Sequence, residues 1–128
     1  MRALRLFVLG VGSLTFILFS YWQLNDARQY GNGDAWLWIG IYAFTAGLTL
    51  CLGWCKMPMA LLSSWVGFAG GALLFRLQDA QGNILWSRLA PANFWQATDA
   101  HIVQQANEAG GLLVVGCWAL LLMALNRS

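Results

Sequence analysis

Charge is what this chain most lacks. Seven Lys or Arg and five Asp or Glu make up 9% of its 128 residues, against 59% hydrophobic. A soluble domain averages about 25% charged, because its surface must be covered with groups that water solvates. Twelve charges cannot cover one, so lipid is the expected solvent. Histidine is scarce as well, and a single His101 excludes haem held between two histidines. The three cysteines, Cys51, Cys55 and Cys117, lie in apolar runs and leave an odd count, which argues against a disulfide framework. No Gly-rich phosphate loop, nucleophile elbow, zinc-protease helix or Cys-x-x-Cys pair occurs. No enzyme activity and no cofactor are therefore expected. A formal charge of +2, divided between the ends of the sequence, gives no reason to expect nucleic acid as a partner.

What is present is apolar sequence in four runs. A hydrocarbon core about 30 Å thick needs roughly 20 helical residues at about 1.5 Å each. Runs at about 4–24, 35–54, 58–75 and 103–125 meet or approach that length, and the second contains no charge. Counting back about 20 residues from Leu125 sets the outer boundary of the fourth near Ala106. Thr98 or Asp99 would cap a longer helix whose first turns stand above the membrane. Arg2 and Arg5 before an apolar run resemble a signal peptide, but Ser20-Tyr21-Trp22-Gln23-Leu24 is too bulky for a cleavage site. That run reads as an uncleaved first span. The expected fold is a single all-α membrane domain over 1–128: a four-transmembrane-helix bundle with an interfacial outer connection between the third and fourth helices.

Alternating crossings put Arg2, Arg5, Lys56 and Arg127 on one side with no acid among them. Asp26, Asp34, Asp79, Asp99 and Glu108 fall on the other, beside Arg28, Arg76 and Arg88. The basic excess favours both termini in the cytoplasm of a multi-pass protein, read here as one of a bacterial inner membrane. Trp22, Trp36, Trp38, Trp86 and Trp95 fall near the outer interface and Trp54 near the inner one, the level indole rings prefer. The 76–100 connection is expected to lie along the outer interface, burying Leu77, Ile84, Leu85, Trp86, Leu89, Phe94 and Trp95. Its turns read as 79–83 and 91–93. The middles of all four spans lack ionisable groups, which argues against a proton or ion pump acting alone. Four short spans also leave little room for the broken helices of a transporter with inverted repeats.

Helices in lipid associate by close packing and hydrogen bonds, so small residues matter. Ser63, Gly67 and Gly71 recur every four residues, with Gly40 and Gly47 on the second span and Gly111 and Gly116 on the fourth. These are the expected helix-packing positions. The polar residues that stand out are Gln23, Asn25, Asp26, Asp34, His101, Gln104, Asn107 and Glu108, all toward one membrane face. Gln104, Glu108 and Gly111 share a helix face. A carboxylate at Glu108 needs a partner or water to remain ionised, and Arg76 is the nearest cation by topology.

Gln23-Leu24-Asn25-Asp26, then Asp34-Ala35-Trp36-Leu37-Trp38 and Tyr42, resembles the signature of the transmembrane protein 220 family. Asn107-Glu108-Ala109-Gly110-Gly111-Leu112 is similar to the Glu-x-x-Gly stretch that opens that family's last helix. The chain departs from the pattern after Asp26, where Ala27 to Gly33 stand in place of Pro-Asp, with Asp34 as the counterpart of the second Asp. The resemblance implies the membrane fold and no activity. Three readings of the polar cluster stay open. It caps helix ends and bonds across the bundle, with Arg76 neutralising an acid; it docks onto a larger membrane complex; or Asp26, Asp34, His101 and Glu108 hold a metal ion or small polar ligand. The expected function is a non-catalytic accessory or assembly subunit, with an independent metal- or ligand-binding protein as the alternative.

Overall fold

The computed structural model describes residues 2–29, 33–90 and 100–127. Four α-helices hold most of them: α1 (Arg2–Gln29), α2 (Ala35–Trp54), α3 (Met59–Leu77) and α4 (Ala100–Arg127), with no strand among the described residues. Each is long and apolar enough to cross a membrane, over Arg2–Asn25, Ala35–Trp54, Met59–Leu77 and Val103–Arg127 respectively. The second span matches its expected limits because the uncharged run is bounded by Asp34 and by Cys55-Lys56-Met57-Pro58. Proline disfavours helical backbone in the residue before it, so α2 stops and α3 starts immediately after Pro58. Two helices outrun their apolar stretches. α1 continues through polar residues to Gln29, since no Gly or Pro interrupts it there, and α4 starts at Ala100, before its apolar stretch.

The chain packs as two units, one formed by the segment up to Met59 with Leu122 onward, the other by Ala60–Leu121. In the first, α1 and α2 form an antiparallel hairpin whose register can be read from its contacts. The Arg5 guanidinium donates to the Leu52 carbonyl at 3.1 Å, Ser13 Oγ to Ala46 O at 3.4 Å, and Ser20 Oγ to Ile39 O at 3.1 Å. Between the serines lies a ring cluster centred on buried Tyr42. Phe16 stacks on it at 6.3 Å, Phe19 meets it edge-on at 5.4 Å, and Trp38 lies at 6.0 Å. Each such pair contributes about 0.5–1.5 kcal/mol beyond the area it covers. The buried hydroxyls of Thr45 and Thr49 donate to carbonyls one turn back in their own helix, Ile41 O and Thr45 O.

The end of α4 closes the same unit. Buried Asn126 accepts from Met57 N–H at 2.9 Å and donates from Nδ2 to Met57 O at 2.8 Å. One amide thus satisfies both backbone groups of a residue in the α2–α3 turn, where no helix supplies partners.

In the second unit α3 buries Leu62 and Ala69, seven residues apart, and Leu77 at its end. Along the part of α4 in this unit the buried positions include Glu108, Leu112, Val115 and Ala119, in steps of four, three and four, the spacing of a helix that faces a neighbour. The close approach runs through Ala69 and Gly116: a Cβ built on Gly116 would lie 3.6 Å from the Ala69 Cβ. The expected stripe is placed differently. Ser63, Gly67 and Gly71 are exposed, and a Cβ at either glycine would meet nothing within 4 Å. Gly40 is likewise exposed and open, Gly47 is half-buried with equal room, and Gly111 is half-buried. Small size permits an approach without specifying which neighbour uses it.

Candidate functional site

The sequence-derived cluster is assembled in part. Glu108, 8% exposed, stands on the buried stripe of α4. Its Oε2 lies 2.9 Å from Arg76 Nη1, and its Oε1 accepts from Gln104 Nε2 at 3.0 Å. Each element supplies its member for a local reason. Gln104 and Glu108 sit one turn apart on α4, where side chains four residues apart meet. Arg76 occupies the last turn of α3, where a cation also interacts favourably with the negative end of the helix dipole. The acid is thereby neutralised and both its oxygens are engaged. Arg76 keeps part of its side chain in contact with solvent. Such an arrangement holds two helix ends together; a buried carboxylate without a cation would be strongly unfavourable.

Immediately beyond Arg76 the connection is built around Asp79. Its Oδ1 accepts from the backbone N–H of Gln81 at 2.9 Å and of Asn83 at 2.8 Å, and its Oδ2 from Asn83 Nδ2 at 3.0 Å. Asp79 N–H donates to Asn83 O at 3.0 Å, and Gly82 has φ +85°, a conformation that only glycine adopts freely. A bridge pairs Gln78 with Ile84, Leu85 N–H donates to Leu77 O at 2.9 Å, and Arg88 donates to the Gln78 carbonyl. The side-chain amide of Asn83 is the main cause that holds the Asp79 carboxyl below its ordinary value of 3.8, with the Asn83 and Gln81 N–H groups and the Arg88 charge adding to it. The 79–83 turn was legible in the sequence. A single 3-10 turn, Trp86–Arg88, comes after it in the chain.

Of the interfacial side chains expected there, Leu77 is buried, Ile84 and Leu89 are half-buried, and Leu85 and Trp86 are exposed. Phe94, Trp95, the 91–93 turn and the capping residues Thr98 and Asp99 lie outside the described residues.

Gln23 is half-buried and Asn25 exposed on α1, and Asp34 is half-buried ahead of α2, its carbonyl accepting from Leu37 and Trp38 N–H. Asn107 is exposed on α4. The side chains of Asp26 and His101 lie outside the described residues. Among the described residues no three His, Cys, Asp or Glu side chains are grouped as a metal ion would require. Cys51, Cys55 and Cys117 are free thiols. Sequence reasoning missed Asn126, whose only signal was a lone amide closing an apolar run. It also missed the structural use of Arg5, read there only as a topology charge.

With this geometry in place, comparison with known proteins is informative at one level. Residues 15–124 match the family described as transmembrane family 220, helix. No curated protein and no solved structure matches the chain. The match covers most of the sequence, so the chain belongs to that family and is a multi-pass membrane protein.

Proposed function

We propose that this member of transmembrane family 220 is a non-catalytic accessory or assembly subunit that packs against a larger membrane complex. One observation carries the reading: α3 has two unlike faces. On one, Leu62 is buried, Ala69 lies against Gly116 and Arg76 pairs with Glu108. Ser63, Gly67, Gly70 and Gly71, on the other side of the helix, are exposed and carry nothing larger than a hydroxymethyl group. In lipid such a face gains little from contact with acyl chains and much from a helix that can approach its backbone. The ion pair of Glu108 with Arg76 and its hydrogen bond from Gln104 support a structural role for the one buried acid among the described residues. The positions of Arg2, Arg5, Lys56 and Arg127 support a cytoplasmic location for both termini.

The test is native co-purification in mild detergent. The chain is expected to migrate with an assembly well above its own 14.1 kDa. Gly67→Leu and Gly71→Leu should release it at unchanged abundance. Recovery of the wild-type chain only as a free monomer would overturn the proposal.

A further inference from the structure

At the opposite end of α2 from Asp34, Arg2, Arg5 and Lys56 converge on a cleft of about 180 Å³, walled by Leu6, Leu52 and Trp54. No acid lines it. The positive-inside preference accounts for basic residues at this level but not for their meeting in one concavity. Two further features concern what fits there. Arg5 is held in place by its bond to Leu52 O, which engages one nitrogen of a fork with five N–H donors. Beside this cleft, and sharing Trp54 and Cys55 with it, is a shallow open hollow of about 310 Å³ on the last turn of α2, lined by Leu50, Cys51, Trp54 and Cys55, with no charged residue among these. Trp54, 89% exposed, stands between the two.

We infer that this paired site binds an anionic phospholipid, its phosphate between Arg2, Arg5 and Lys56 and the start of one acyl chain along Leu50 and Cys51. A free phosphate would use the first cleft alone; a lipid uses both, and the site lies where a span leaves the hydrocarbon. Guanidinium forks match phosphate oxygens, and lysine adds a flexible point charge. The inference holds whether or not the chain has a protein partner.

Native mass spectrometry of the full chain in neutral detergent tests it, with phosphatidylglycerol and phosphatidylcholine of identical acyl chains as probes. One phosphatidylglycerol should be retained about tenfold more tightly than phosphatidylcholine, and Arg2→Gln or Lys56→Gln should each reduce retention about fivefold. Arg127→Gln, which removes one exposed positive charge of the same unit outside the cleft, should leave retention unchanged. Equal retention of the two lipids would overturn the inference, as would a loss in Arg127→Gln as large as in Arg2→Gln, which would indicate diffuse attraction only. Excess inorganic phosphate should not displace the lipid; displacement would assign the cleft to free phosphate instead.

Discussion

The two units of this protein solve the same problem with different chemistry. The α1–α2 hairpin is joined by many modest contacts spread along its length: a ring cluster around Tyr42, two serine hydroxyls on facing carbonyls, one arginine on a helix end. Interhelical hydrogen bonds of this kind average about 0.6 kcal/mol in membranes, so no single one decides the pairing. In the α3–α4 unit the polar link described between the helices is instead a charged one, the Arg76–Glu108 pair, with a close Ala69–Gly116 contact farther along. A distributed interface weakens gradually when mutated. A concentrated one fails at one residue.

Mutations can break that comparison. The largest effect is expected from Arg76→Leu, which leaves Glu108 buried without its cation. Loss of one partner of a fully buried pair costs about 3–5 kcal/mol; because Arg76 retains contact with water, about 2–3 kcal/mol is expected here. Reversible unfolding in mixed micelles measures it, and adding Glu108→Leu should recover most of the loss. If the double variant is no better than the single, the ion pair is not what fails. A smaller effect, about 1–2 kcal/mol, is expected for Tyr42→Leu, which keeps the apolar volume but removes three ring contacts. A cost above that of Arg76→Leu would reverse the contrast between the units.

The smallest effect sharpens the contrast at the water-exposed turn. The Asp79 carboxyl sits below 3.8 because its ionised form accepts Asn83 and Gln81 donors. The turn's stabilisation is therefore fully present above about pH 4 and lost as pH falls through the lowered value. The Gln81 and Asn83 amide resonances should titrate with a midpoint below 3.8. A midpoint at or above it would mean the turn does not depend on the carboxylate.

Much of this was legible in the sequence, and the boundary is physical. Hydropathy located four spans because lipid selects on composition over some 20 residues, a long and forgiving signal. The Arg76–Glu108 pair could be anticipated from two local facts, the shared face of Gln104 and Glu108 and the scarcity of cations near the end of α3. Asn126 was not legible, since its partner is the Met57 backbone, 69 residues away and without a side-chain signature. The glycine stripe shows the same limit. It marked a surface fit for close approach; the contact described pairs Gly116, one of the small residues named on the fourth span, with Ala69, which lies off the stripe, because periodicity says where a helix is smooth and nothing about what lies against it. The metal reading of the polar cluster rests in part on Asp26 and His101, whose side chains are not among those described.

The ion pair also bears on how the protein is made. Synthesis runs from the N-terminus, so Arg76 leaves the ribosome before Glu108. At roughly 5–20 residues per second the guanidinium waits on the order of a few seconds for its acid. During that interval its long stem lets the charge stay at the membrane surface while the rest of α3 enters lipid. Seating of α3 is thus completed by the arrival of α4, whereas the contacts described between α1 and α2 can form as soon as α2 is made. The two halves differ in their timetable as well as in their chemistry.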